Sequence, residues 1–496
     1  MKFRENVGYI MKRSAGILMH ITSLPSPYGV GTLGQAALDF VDFLWGAKQS
    51  YWQMLPIGPT SFGDSPYQSS STFAGNPYLV DLDELKNEGL LTDEDLDLDF
   101  GSNPQNVDFG KLYENRFTVL RSAFSRFNRE RMSDYCRQNA DWLNEYALFC
   151  ALKAHFGGKA WTEWDEDIKS RSPQALERYQ KELSEEIAFQ CFIQYEFDLQ
   201  WQRLKSYAAQ KGVSLIGDVP IYVPLDSVDV WTRPDLFKLN SDYQPYVVAG
   251  VPPDYFSPTG QLWGNPIYDW DAHKNEDFAW WGRRMSAMKK RFSVARLDHF
   301  RGIESYWAVP FGEDTAVNGH WEKGPDMALV SAIKRDCPDL SIIAEDLGFL
   351  TPEVKRLLSA SGYPGMRVMQ FGFDPYQNSR ELPHNYPINS VVYTGTHDNS
   401  PMMGWLSDTD PRCLGFAVQY LGLNAKEGFP FGFIRGLMTS ASQLAIVPIQ
   451  DYLGQGNESR MNLPGTTGWW GYRILASDLT DKLQKRIARY TLMSGR

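Results

Sequence analysis

The sequence predicts an α/β protein built as a barrel of eight parallel strands, interrupted by a mainly helical insertion. Three observations lead there. Short apolar runs ending in polar or charged residues occur at 15–21, 51–57, 213–223, 293–300, 340–348, 366–373, 390–399 and 445–453. A parallel strand buried on both faces reads in this way, as a continuous apolar run rather than an alternation. Helix-like stretches such as GQAALDFVDFLWGAK and DMALVSAIKRD lie between them, so strand and helix alternate as a (β/α)8 barrel requires. Finally, roughly 150 residues separate the second run from the third, far more than a barrel connection needs.

The elements follow in order. Residues 1–13, with Met11 followed at once by KRSAGIL, read as an N-terminal extension, and 14–84 as the first part of the barrel. Segments 85–205, including KLYENRFTVLRSAFSRFN and EEIAFQCFIQYEFDLQWQRLKSYAAQ, carry apolar residues at helical spacing and form the expected inserted subdomain. The remaining strands, 206–496, complete the barrel. Within the insertion TDEDLDLDFG resembles a calcium loop, but Asn106 stands where a closing acid belongs, so a solvated acidic turn is expected. GVGTLG at 29–34 satisfies a dinucleotide-type glycine pattern, yet TSLPSPY separates it from its strand, and no acid-ended strand lies some 20 residues on.

Composition narrows the function. The formal charge of −11 is spread without a basic stripe, which argues against nucleic acid or an anionic membrane as the partner and for a neutral substrate. Sixteen Trp and 25 Tyr exceed what a core needs, so some rings are expected to face a ligand. Cys136, Cys150, Cys191, Cys337 and Cys413 form no ligand or disulfide pattern and read as free thiols. With no secretory or membrane-spanning stretch, a cytoplasmic protein is expected.

Four acids close apolar runs: Asp218 in GDVPIYV, Asp298 in RLDHFRG, Glu345 in AEDLG and Asp398 in THDN. In a barrel all four converge on the C-terminal rim, together with Arg296, His299 and His397. Alone, each is as well explained as a turn or cap residue. Gathered in one cleft, they repel one another unless they serve a reaction. A metal is not expected, because the acids sit on different strands without closely spaced oxygen ligands; no cofactor is expected either. Sugar chemistry fits, since an oxocarbenium-like transition state needs an anion beneath and a proton donor above. Asp298 then serves as nucleophile, kept ionised by Arg296, and Glu345 as acid/base. Asp398, His299 and His397 hold substrate hydroxyls. The polar, aromatic loop 58–85 adds Tyr67, Phe73, Asn76 and Tyr78 as candidate sugar contacts.

The motifs GILMHITSLPSPYGVGTLG, YWQMLPIGPTSFGDSPYQSSSTFAGNPYL, GDVPIYV, VAGVPPDYFSPTGQLWGNPIYDW, RLDHFRG, AEDLG, GTHDN and RMNLPGT occur in this order between about Ser14 and Tyr472. Together they make the chain resemble the 4-alpha-glucanotransferase family, also called amylomaltase or disproportionating enzyme, a relative of the alpha-amylase clan. The resemblance implies an interrupted (β/α)8 barrel without the separate C-terminal β-domain of amylases. It further implies transfer of α-1,4-glucan segments from a donor chain to an acceptor sugar, through a covalent glycosyl-enzyme formed with retention. By matching motifs it assigns Asp298 as nucleophile, Glu345 as acid/base and Asp398 as transition-state stabiliser, and places Asp218, Arg296, His299, His397 and Asn462 along the donor sugar. The segment 248–266, with Pro252, Pro253, Tyr255, Phe256 and Trp263, corresponds to a cleft-covering loop. Two other functions share these features: a hydrolase on the same scaffold, and a glucan-binding protein without catalysis.

Overall fold

The computed structural model describes residues 12–254 and 257–496. Of the expected extension, 1–13, only Lys12 and Arg13 fall within them. Arg13 donates to the carbonyls of Met438, Ser440 and Ser442 at 2.8–3.1 Å.

Twelve strands form among the described residues. In chain order they are β1 (Ser14–Leu18), β2 (Tyr51–Gln53), β3 (Ser214–Val219), β4 (Val247–Val251), β5 (Gln261–Pro266), β6 (Val294–Leu297), β7 (Ser305–Pro310), β8 (His320–Lys323), β9 (Ser341–Ala344), β10 (Gly365–Val368), β11 (Ser390–Tyr393) and β12 (Leu444–Pro448). Eight close a parallel barrel in the order β1-β12-β11-β10-β9-β6-β3-β2, and β2 pairs back onto β1. Each of the eight apolar runs overlaps one of them, to within a residue at its start. β1, β6, β11 and β12 are buried along their whole length, which is why their sequences do not alternate. Closure is tight at Gly16, where a Cβ would stand 2.6 Å from the Tyr51 carbonyl oxygen and 2.7 Å from Ile446.

Between β2 and β3 the described residues are helical and carry no strand. The longest helices there are Phe109–Arg126, Ala140–His155 and Ser184–Gln210. They share one continuous apolar core with the barrel. Two buried glutamines of helix Ser184–Gln210 face the 58–85 loop. Gln194 exchanges hydrogen bonds with the N–H and C=O of Gly75 at 2.7 and 2.9 Å, and Gln200 does the same with Asp81 at 2.7 and 3.3 Å. These bonds satisfy backbone groups that a buried loop would otherwise leave unpaired.

The other sheet is antiparallel, ordered β5-β4-β7-β8. The segment 248–266, expected as a loop, is therefore largely a hairpin of β4 and β5, anchored on β7. The sheet lies within the barrel sequence, and after β12 the described residues form helices and turns, the last of them the helix Asp481–Met493. No helix among the described residues is long and apolar enough to cross a membrane.

Candidate active site

Barrel closure places the rim acids. Asp298 and Glu345 are the first residues beyond β6 and β9, two neighbouring strands that pair Leu297 with Ala344. Asp398 lies farther out, on the turn after β11, where the Asn399 side chain accepts the Thr396 N–H at 2.9 Å.

Arg296, 4 % exposed and pointing along the barrel, is the centre of charge. Its Nη2 stands 2.9 Å from Asp298 Oδ1, and its Nη1 donates to both Asp218 oxygens at 2.8 and 2.6 Å. Burial works against the Arg296 charge, yet Asp218 and Asp298 hold its pKa well above the ordinary value. Asp218, expected along the donor sugar, has its carboxylate beside Arg296. Its side chain is fully buried behind Arg296, and its Oδ2 also accepts the Tyr67 hydroxyl at 2.8 Å. The Asp218 carboxylate on β3 thus meets the arginine of its register partner on β6.

Glu345 is held differently. Its Oε2 accepts the backbone N–H of His299 at 2.8 Å and its Oε1 that of Leu347 at 2.9 Å. His299 sits at φ 48°, ψ 49°, a left-handed conformation that is costly for a side-chain-bearing residue and recurrent at functional sites. Burial pushes both Glu345 and Asp298 upward, while Arg296 pulls each down. The direct ion pair with Arg296 favours the charged form of Asp298, and the two amides favour that of Glu345, so burial is opposed at both carboxyls.

Asp398 is fixed by side chains from beyond β12. Asn462 Nδ2 donates to its Oδ1 at 2.7 Å, Arg460 Nη2 donates to its carbonyl at 2.6 Å, and His397 Nε2 is 3.3 Å from Oδ1. Burial lowers the pKa of His397, and burial followed by Arg301 pushes His299 down to about 3, so both rings are neutral near pH 7. Tyr67 stacks on His397 with centroids 5.1 Å apart, and Trp470 borders both rings. Trp263 on β5 meets the His299 ring edge-on at 4.8 Å.

The structure thus brings Tyr67, Arg296, Asp298, His299, Glu345, His397, Asp398, Asn462 and Trp263 together, with Asp218 behind them. Tyr255 and Phe256 lie outside the described residues. Of the other candidates from the 58–85 loop, none points to the cleft. Phe73 stacks on Trp142, Tyr78 packs on Phe117, and the Asn76 side chain accepts the Tyr78 N–H. The helical insertion supplies the aromatic partners for both rings. Sequence reasoning missed Arg460 and Trp470, although Arg460 opens the same RMNLPGT motif that holds Asn462.

A parallel barrel with three carboxyls at its C-terminal rim, one paired with arginine, one cradled by amides and one on the turn after β11, defines a carbohydrate-active barrel enzyme. The family model for 4-alpha-glucanotransferase matches residues 19–478. A 4-alpha-glucanotransferase from Clostridium butyricum is 46% identical over 485 residues, covering 96% of this chain and 100% of the relative. One from Thermus thermophilus is 44% identical over 492 residues, covering 96% and 98%. The structure of amylomaltase from Streptococcus agalactiae in complex with acarbose superposes with a TM-score of 0.95 at 44% identity, covering 98% of this chain and 100% of that one. Amylomaltase from Corynebacterium glutamicum shares the fold, with a TM-score of 0.79 at 18% identity over 97% of this chain and 75% of its own. The chain belongs to the 4-alpha-glucanotransferase family.

Proposed function

We propose that this chain transfers segments of α-1,4-glucan from a donor chain to an acceptor sugar by two successive displacements at one anomeric carbon. In the first, Asp298 Oδ attacks the anomeric carbon while Glu345 gives its proton to the departing glycosidic oxygen. In the second, Glu345, now a carboxylate, takes the proton of an acceptor hydroxyl whose oxygen displaces Asp298. Arg296 keeps Asp298 anionic before attack and as it leaves. Asp398, oriented by Asn462, binds sugar hydroxyls and opposes the positive charge that develops on the ring. Asp218, Tyr67, His299 and His397 shape the donor-sugar pocket, Asp218 through Arg296 and Tyr67.

The observation that carries this reading is the different setting of two adjacent rim carboxyls, both pushed upward by burial: Asp298 is ion-paired with Arg296, and Glu345 is held by two amides. Water and a sugar hydroxyl can both resolve the glycosyl-enzyme, and the loops decide between them. The 248–266 hairpin, whose Trp263 ring meets His299, covers the cleft and offers a ring for an acceptor chain to stack on while excluding water.

Two measurements test this. Incubated with pure maltotriose, the protein should produce glucose and a ladder of longer chains at constant total reducing ends; rising reducing ends would mean hydrolysis, and no bond exchange between pH 5 and 8 would mean a binding protein. Asp298→Asn should stay folded and lose roughly four orders of magnitude in turnover. Near-normal turnover by that folded variant would remove Asp298 from the nucleophile role.

A further inference from the structure

Asp346 directly follows Glu345, and its side chain is fully buried. Its Oδ1 accepts the Met366 N–H at 2.6 Å. Its Oδ2 stands 3.1 Å from Arg367 Nη1 and 3.4 Å from Arg380 Nη1. Arg380 also donates through Nη2 to the Asp346 carbonyl at 2.9 Å. Gly365 on β10 makes room for this carboxylate, since a Cβ there would lie 2.6 Å from Oδ1. At the far end of the same turn, Arg301 Nη1 donates to the Phe349 carbonyl at 2.9 Å while its guanidinium lies 3.9 Å from the Trp321 ring. Between the two anchors is Leu347, whose N–H holds Glu345 Oε1.

Burying ions is costly, and a buried ion cluster is weak evidence for stability by itself. This one sits where a displacement of the turn would carry the Leu347 amide away from Glu345. We infer that the Asp346–Arg367–Arg380 cluster clamps the 345–349 turn and so keeps the Glu345 carboxyl in place for proton transfer, with Asp346 as its central positioning residue. The inference rests on the reading of Glu345 as acid/base. Arg380 belongs to the loop after β10 and is 37 % exposed, so the clamp ties the buried acid to a surface segment.

The charged and titratable groups around Glu345 are Arg296 and Asp298 from β6 and its end, Asp218 beyond Arg296, the neutral His299, Asp346 on its own turn, Arg367 and Arg380 behind Asp346, and Glu381 paired with Arg380 at 2.7 Å. Asp346→Asn removes a negative neighbour and leaves Arg367 and Arg380 with Glu381 as their remaining carboxylate partner, which lowers the Glu345 pKa. The basic limb of the pH profile for maltotriose transfer then moves to lower pH. Arg380→Ala removes a cation and moves that limb the other way.

Two reactions of the whole enzyme separate positioning from general damage. Maltotriose disproportionation needs both an acid and a base; transfer from α-maltotriosyl fluoride to azide needs neither, because fluoride leaves and azide attacks without a proton. Asp346→Asn and Arg380→Ala should each lose about tenfold in kcat on maltotriose yet stay within about twofold of the parent on the fluoride and azide pair. Arg380→Lys should recover part of the loss. Parallel losses in both reactions, or no loss in either, overturn the clamp. If Asp346→Asn does not fold, Arg380→Ala, at a partly exposed side chain, decides alone. Glu345→Gln run alongside tests the underlying assignment: failure of the fluoride and azide pair to restore that variant counts against Glu345 as acid/base, whatever the clamp variants do.

Discussion

Glu345 and Asp398 leave strands two places apart in the barrel, β9 and β11, and are fixed by opposite means. Glu345 is gripped by the main chain, through the amides of His299 and Leu347. Asp398 is gripped by side chains of Asn462 and Arg460, delivered from a segment beyond the last strand. An amide cannot be substituted away without deforming the chain, so the position of Glu345 is part of the fold itself. A side-chain grip can be altered by one codon, so the Asp398 side of the cleft can be retuned without touching the barrel. The difference suits the chemistry proposed: proton transfer tolerates little displacement, whereas sugar hydroxyls can be met by several arrangements.

The largest expected effect tests the gripped acid directly. Glu345→Gln keeps the shape and an acceptor for one amide but carries no transferable proton, and should lower kcat on maltotriose by about a thousandfold, as steady-state product analysis would show. Next comes Asn462→Ala, which frees Asp398 Oδ1 and should cost between about tenfold and a hundredfold in kcat/KM; a loss below about twofold would show that Asp398 does not depend on its side-chain partner.

A third carboxyl sharpens the contrast because it is gripped by nothing. Glu196, on helix Ser184–Gln210, is fully buried, and neither of its oxygens has a hydrogen-bond partner. Burial pushes its pKa from 4.5 up to about 7. The folded chain therefore holds a proton that the unfolded chain releases, and stability falls as pH rises from about 4.5 through about 7, by something on the order of 3 kcal/mol. Glu196→Gln should flatten this part of the pH dependence of Tm and raise Tm at pH 8; an unchanged profile would mean that the group is ionised in the fold. The smallest effect belongs to Leu347→Ala, which keeps the amide and should leave kcat within about twofold. A loss comparable to that of Asn462→Ala would erase the distinction between main-chain and side-chain grip.

Legibility followed the range of the interactions. The barrel strands could be read from local apolar runs, because burial on both faces marks each strand independently of its neighbours. Asp298 and Glu345 could be read for the same reason, as the residues that directly follow such strands. The 248–266 segment was not legible as a hairpin, since its glycines, prolines and aromatics suit a loop equally well, and its strand character comes from the pairing of β4 with β5 and β7. Phe73 and Tyr78 looked like cleft residues because the sequence around Tyr67 does not show that helices of the insertion wait to cover them.

The sequence by itself determined the residue types and their positions along the chain: eight strand-forming runs, an acid or arginine at the end of several of them, and the family to which their order belongs. Tertiary structure alone decided which partner each acid meets. Tyr67 reaches Asp218 across 151 positions, His299 offers its amide to Glu345 across 46, and Asn462 reaches Asp398 across 64. Such bonds exist only once the barrel has closed and set the strand register. The same carboxylate can be a caged counter-ion, a positioned acid or a sugar ligand, depending on which distant group closure brings within 3 Å.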